Sequence, residues 1–374
     1  MVALALGAEG SGAAGSGAED SGATGPGPAG FAAAGDASAR LDSYSDPWIV
    51  VLAPSVSAST SVWDGLGANL SYVADFVSGA TPLVAADAVS SATRFDDVRH
   101  APSIGLDRVA DTWSVRGSYA LSVESDHRAQ VLTLGGSREA LARRVRLDAA
   151  LSGRAEVAGR ADLPDYAAPS AGGTLDLGWS WVLDPLTTLR LRATGSWDHC
   201  APELGCHANP YRLVRDGGFV LSERHPDTRG RGAGSARVAR SLPRSMALHL
   251  GYRYSGDTWR VRAHTGDAAL AWSGSGERLV LRGEGRGVQQ SGAAFLDESA
   301  GLEPSAWRSG DIELAGLWAV GGGLGVELSA FSVPGLQRLS LVGKISHYSY
   351  HYPTGSPVHE RPVLLLGGGL VAHW

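Results

Sequence analysis

Two cysteines and two histidines crowd one short stretch, His199-Cys200-Ala201-Pro202-Glu203-Leu204-Gly205-Cys206-His207. Paired cysteines outside a reducing compartment would close a small disulfide loop. Thiolates and imidazoles together would also suit zinc or copper, drawing on His199, Cys200, Cys206 and His207. The spacing is not that of a zinc finger, and the pair lacks the Cys-x-x-Cys arrangement of redox exchange, so the disulfide is the favoured expectation. A second group, Asp75, Asp87, Asp96 and Asp97, lies in a Ser/Thr/Gly-rich connector. Carboxylates beside carbonyls there would suit calcium, but the spacing is not that of an EF-hand, and turn capping by Asp and Ser accounts for them more simply.

The third group is arginine-rich: Arg190, Arg192, Arg253, Arg260, Arg262, Arg282 and Arg286, with Glu284, Glu313 and Glu327. Lining a channel, such residues would form a cationic constriction that favours anions. Buried charges need partners, so the alternative is a salt-bridge lattice that fills a narrow interior. Gly321-Gly322-Gly323-Leu324-Gly325 and Gly367-Gly368-Gly369 lack the lysine and the strand–helix setting of a phosphate loop. Neither a Gly-x-Ser-x-Gly nor a His-Glu-x-x-His motif occurs. No enzyme and no cofactor is expected.

The elements that would position these residues follow a period of two. Met246, Leu248, Leu250, Tyr252 and Tyr254 alternate with His249 and Arg253. Leu175, Leu177, Trp179 and Trp181 alternate with Asp176 and Ser180, and Trp259, Val261 and Ala263 with Arg260, Arg262 and His264. Turn signals such as Leu242-Pro243, Ser255-Gly256-Asp257, Gly321-Gly322-Gly323 and Pro334-Gly335 separate such runs. The segments are near 49–62, 64–78, 97–109, 112–124, 127–137, 141–153, 171–182, 186–199, 231–241, 244–255, 257–270, 277–290, 310–320, 323–334, 337–350 and 361–374. The weakest is 141–153, whose start would also suit a short helix.

Alternation alone would also fit a soluble antiparallel sheet. Arginines and carboxylates recur on the polar face, and the apolar face ends repeatedly in Trp113, Trp179, Trp181, Trp259, Trp318 and Trp374. That combination is the signature of a membrane barrel. The expected fold is therefore all-β: one antiparallel transmembrane β-barrel of about 16 strands, with 14 possible, over residues 44–374. Residues 1–43, nearly all Gly, Ala and Ser, should be a disordered tail. Its Val2-Ala3-Leu4-Ala5-Leu6 run reads as a signal-peptide remnant or as an ordinary flexible arm.

Composition agrees. Of 374 residues, 51 are glycine and 19% are charged, and the net charge is -6. The acidic balance argues against nucleic acid as a partner. No run approaches the ~20 apolar residues of a membrane helix. Lys344 is the one lysine, so nearly all positive charge is guanidinium.

The stretch Asp75-Phe76-Val77-Ser78-Gly79-Ala80-Thr81-Pro82, the later Asp87-Ala88-Val89-Ser90-Ser91-Ala92-Thr93-Arg94-Phe95-Asp96-Asp97-Val98-Arg99, and Ser122-Val123-Glu124-Ser125-Asp126-His127 carry a specific resemblance. With His207-Ala208-Asn209-Pro210-Tyr211-Arg212 and Tyr252-Arg253-Tyr254, they resemble the outer-membrane family known as domain of unknown function 3570. The doubled Ser-x-Ala-Thr element is the most specific part. His127 and Ser91 depart from the pattern. The resemblance implies a Gram-negative outer-membrane barrel with lipid around it, and no activity.

Counting strands back from Trp374 exposes a conflict. The 351–360 loop would face outward, but the long connections 79–96, 154–170, 199–230 and 291–309 would fall on the periplasmic side, where turns are normally short. Either one strand is misplaced, or those loops meet a periplasmic partner. Two functions follow: a pore for small solutes, or a non-conducting scaffold that engages a periplasmic or surface partner through its loops.

Overall fold

The computed structural model describes residues 35–80, 94–216, 219–274, 276, 278–296, 306–331, 333, 335–353 and 358–374. Its strands are β1 (Gly35–Ser45), β2 (Ile49–Trp63), β3 (Leu66–Ala80), β4 (Arg94–Val109), β5 (Trp113–Val123), β6 (His127–Ala140), β7 (Val145–Gly159), β8 (Ala167–Asp184) and β9 (Thr187–Cys200). Then come β10 (Leu213–Asp216), β11 (Phe219–Ser222), β12 (Thr228–Leu242), β13 (Met246–Asp257), β14 (Arg262–Gly274), β15 (Leu279–Gln290), β16 (Leu317–Phe331), β17 (Arg338–His351) and β18 (Glu360–His373). Sixteen of them close an antiparallel barrel, β1 pairing with both β2 and β18, while β10 and β11 form a separate hairpin. Reciprocal bonds between Gly35 and Trp374, 3.1 Å each way, complete the seam.

Each strand sorts its side chains by parity. On β13, Leu250, Tyr252 and Tyr254 point outward and are exposed, while His249 and Arg253 point in. Leu132, Leu134, Leu147, Leu151, Leu270, Leu281, Ile345 and Leu366 extend the outward apolar surface around the barrel. Exposed apolar surface of this extent marks a protein or membrane contact. A closed barrel leaves no unpaired edge inside a bilayer. Trp113, Trp179, Trp181, Trp272 and Trp374 ring one end of the band, and Trp197 and Trp318 lie toward the other.

The strand total of sixteen emerges from two compensating differences. The barrel begins at Gly35, inside the stretch assigned to a tail, because β1 presents the small outward set Ala37, Ala39 and Leu41, a faint periodic signal. Conversely, 310–320 and 323–334 are not two strands: β16 runs unbroken through Gly321-Gly322-Gly323. Those glycines are not a turn. A Cβ at Gly321 would lie 2.3 Å from the Tyr348 ring, and one at Gly323 2.2 Å from Ser346 Oγ. At 141–144 a turn with left-handed Leu141, Ala142 and Arg143 precedes β7, in place of a helix.

Restoring β16 as one strand removes the topological conflict. Connections 63–66, 109–113, 140–145, 184–187, 242–246, 274–279 and 331–338 share one end with both chain termini of the barrel. Connections 80–94, 159–167, 200–228, 290–317 and 351–360 all share the other. Short turns face the periplasm and long loops the exterior in such barrels. The cysteine loop, and the ends of β3 and β4 that carry Asp75, Asp96 and Asp97, thus lie at the long-loop end and not with the short turns, as dividing β16 had implied.

One joint illustrates how the wall is fitted. Outward-facing Trp197 on β9 lies across Gly173 on β8, where a Cβ would meet the indole at 2.3 Å. Gly173→Val should push the exposed Trp197 indole aside at little cost to stability, read as a shift in tryptophan fluorescence with an unchanged urea midpoint for refolded protein in detergent.

Candidate functional site: the lumen and its loop layer

Cross-strand register aligns the inward arginines into rows. One row runs Ser180, Arg190, Arg237, Gly251, Asp267, Arg286, Gly321 and Tyr348, each directly opposite the next. The adjacent row runs Gly178, Arg192, Ser235, Arg253, Thr265 and Val288. Together they place five guanidiniums and one carboxylate on the wall from β9 to β15. Gly251 explains how Asp267 serves this row. A Cβ there would sit 2.4 Å from the Asp267 carboxylate, which instead leans across the gap to within 3.2 Å of Arg237. Arg190 bonds Ser180 at 3.3 Å, and Arg192 lies 3.9 Å from Asp176.

Nearer the short-turn end the charges pair. Glu284 meets Lys344 at 2.5 Å and Arg282 at 3.5 Å, and Glu327 meets Arg338 at 2.7 Å. Across the ring, β1 to β7 present hydroxyls, paired as Ser38–Ser57, Ser71–Ser103, Ser114–Ser137 and Thr133–Ser152 at 2.7–2.9 Å, together with opposed charges such as Arg40–Asp42 at 3.7 Å and Arg146–Asp148 at 2.9 Å. The lumen is therefore asymmetric, with arginine rows facing a wall of hydroxyls and mutually paired charges.

Above the strands the loops knit into a layer. Cys200 and Cys206 are joined, with S–S 2.06 Å. They pack with Trp259, Ala293, Phe295 and Leu314 from the neighbouring loops. Glu223, essentially buried, receives bonds from the Asn209 amide (2.7 Å), Ser309 Oγ (2.8 Å), the Gly310 amide (3.0 Å) and Arg212 (3.1 Å). Burial works to raise its carboxyl, but His225, Arg212 and the Asn209 amide outweigh it and hold it at about 2. His225 Nδ1 donates to the Cys206 carbonyl at 2.9 Å, tying this hub to the disulfide. Tyr211 reaches Asp126 in the β5–β6 turn, and Glu313 reaches Arg361 on β18, which also binds Asp46 at 2.8 Å. The contacts span the outer mouth from β5–β6 to β18–β1.

Glu313 carries the layer's pH response. Its side chain keeps 35% of its surface and lies 3.7 Å from Arg361. Burial first, then Asp311, lift it to about 7 against the pull of Arg361 and Arg212. A raised carboxyl favours the folded layer when protonated. Its contribution is complete below the ordinary range near 4.5 and is lost as pH rises through about 7. Proteolysis within 306–316 should therefore accelerate between pH 6 and pH 8, and Glu313→Gln should flatten that dependence.

Of the residues singled out in the sequence, Arg190, Arg192, Arg253, Arg282, Glu284, Arg286 and Glu327 face the interior. Arg260 and Arg262 do not. Arg260 lies in the β13–β14 turn and Arg262 shares the outward parity of His264, which corrects their assignment to the lumen. The alternation read there continues the β14 pattern correctly, but Trp259 and Val261 are its inward members, folded under the loops. Glu313 belongs to a 3-10 turn of the β15–β16 loop, not to a strand. The four candidate metal ligands do not converge. The thiols are oxidised, His199 is exposed on the outward face, and His207 turns to Asp198 at 3.2 Å. Asp75 is buried against Arg99, Asp96 points outward, and Asp87 lies outside the described residues. Asp97 instead approaches Glu124 and Asp126, with ligand atoms mutually within 4.8 Å. Sequence reasoning passed over Arg237, although 231–241 reads as a strand whose polar face it shares. The Glu223 hub left no periodic trace, since its members come from two irregular loops.

Residues 175–341 match the family model described as Protein of unknown function (DUF3570), in line with the resemblance seen in the sequence. No curated protein matches the chain. Among solved structures it resembles CdiB from Acinetobacter baumannii, with TM-score 0.51 and 7% identity over 91% of this chain and 60% of that one. It also resembles a bacterial polysaccharide outer membrane secretin (0.49, 8%, 91% and 98%) and OprD from Pseudomonas aeruginosa (0.46, 9%, 91% and 94%). At these identities the likeness is one of fold: a 16-strand barrel of the bacterial outer-membrane type.

Proposed function

We propose that the protein is an outer-membrane pore for small solutes that prefers anions. The observation that carries this reading is the pair of arginine rows on β9 to β15, facing a wall where hydroxyls alternate with mutually paired charges. Fixed charge along one side of a wet lumen raises the local concentration of the opposite ion. Small carboxylates and phosphates suit guanidinium geometry, which can grip them with two parallel bonds. The loop layer would restrict entry by size.

Liposomes containing the refolded protein should swell faster in an isotonic organic carboxylate than in an ammonium salt of similar size. Equal rates would remove the arginine rows from the account. The loop network across the outer mouth favours a second reading, a closed scaffold. Liposomes that do not swell in either salt would support it. A partner would then meet the outer rim.

A further inference from the structure

Arg260 and Arg262, which leave the lumen, stand on the exterior at the long-loop end of the barrel. Both are exposed, and neither has an ion-pair partner among the described residues. The turn that holds them is deliberate in construction. Trp259 is buried beneath it, bonded to the Thr228 carbonyl at 3.0 Å and stacked by Arg229 at 4.1 Å. The Arg260 amide and the Val261 amide both bond Asp257, and Arg260 takes a left-handed φ of 66°. With Trp259 anchored inward, the two guanidiniums are fixed outward.

Their surroundings suit an anionic amphiphile. Arg262 lies opposite Gly256, and a Cβ there would lie 3.7 Å from Tyr254 Oη and 4.0 Å from the Arg262 stem. His264 follows, bonded to Tyr252 Oη at 2.7 Å and packed on Tyr254 at 5.0 Å. On the same rungs lie the outward positions Gly232 and Gly234, and one rung further from the loops Gly266, all with nothing within 4 Å of a Cβ, leaving a shallow floor beside Leu250 and Leu270. The outward positions of β12 to β15 in this half contain no carboxylate among the described residues. Cations above an apolar floor, at the depth of the aromatic belt, match a lipid that carries phosphate on its headgroup and chains below.

We propose that Arg260 and Arg262, with His264 and Tyr254, bind the phosphate headgroup of an outer-leaflet glycolipid, whose acyl chains lie along β12 to β14. Lipid binding here does not depend on conduction through the lumen. Its test is native mass spectrometry of the full chain in detergent with added bisphosphorylated glucosamine-disaccharide lipid. The wild-type protein should retain the lipid. The double variant Arg260→Gln, Arg262→Gln should bind it about ten- to thirty-fold more weakly, while Arg108→Gln, near the short-turn end, should match the wild type. Arg262→Gln alone should give an intermediate loss and serves if the double variant does not fold. Equal retention by wild type and Arg260/Arg262 variants would overturn the assignment. So would equal displacement by inorganic phosphate at the lipid's concentration, which would indicate a free-anion site.

Discussion

Replacing Arg190, Arg237 and Arg286 together with glutamine should lower the chloride-to-potassium permeability ratio about twenty-fold. The three occupy one cross-strand row with Asp267 as its single carboxylate. A unit charge about 7 Å from a passing ion contributes roughly 0.6 kcal/mol in a water-like medium. Screening over about 10 Å at 0.1 M salt reduces the sum of three to on the order of 1 kcal/mol for each ion, attractive for chloride and repulsive for potassium, so the ratio feels both. The change should shrink in concentrated salt, as electrostatic selectivity must. A paired substitution elsewhere gives the contrast. Glu327→Gln with Arg338→Gln removes a matched pair joined at 2.7 Å and should leave the ratio near the wild-type value. If the triple variant keeps its anion preference, the arginine rows do not set it.

Glu223→Leu should open the outer mouth without unfolding the barrel. Arg212, Ser309, and the Asn209 and Gly310 amides all lose their acceptor at a site shut off from water. Arg212 keeps a quarter of its surface and a second partner in Asp311 at 3.7 Å, so the cost falls short of the about 3–5 kcal/mol of a fully buried pair and rests mainly on the lost acceptor for Ser309 and the two amides. The strands carry their own hydrogen bonds and lipid-facing burial, so the cost falls on the loops. Protease should then cut 201–227 rapidly, while the boiled and unboiled forms still migrate differently on a gel. Single-channel conductance should rise. Arg212→Leu, Glu223→Leu together should recover part of the loss, because the guanidinium that lost Glu223 is gone.

Much of this architecture was legible because a barrel wall is a one-dimensional pattern repeated. The face assignment of Leu250, Tyr252 and Tyr254 against Arg253 needs only parity, and so do Arg190 and Arg192. Two strands defeated that logic for opposite reasons. In β1, Ala37, Ala39 and Leu41 offer too little apolar contrast, and the surrounding Gly/Ala/Ser composition hides it. In β16, glycines that read as a turn are there to receive Tyr348 and Ser346 from β17. One strand missed and one divided left the total intact but reversed the side of the loops between them. Arg260 and Arg262 show a third limit. Alternation orders neighbours, but it says which parity faces lipid only where an apolar set is large, and here the bulky Trp259 belongs inside. The Glu223 hub depends on contacts between residues about 85 positions apart in irregular loops, such as Ser309 with Glu223, and no periodicity reports those.

The most direct test of the account is the reversal potential of a single wild-type barrel, refolded into a planar bilayer of neutral lipid, in a ten-fold potassium chloride gradient. The arginine rows predict stepwise openings and a potential of the sign that marks chloride as the more permeant ion, collapsing toward zero as both solutions are made more concentrated at the same ratio. A potential of the opposite sign, or a bilayer that stays silent with folded protein inserted, would contradict it.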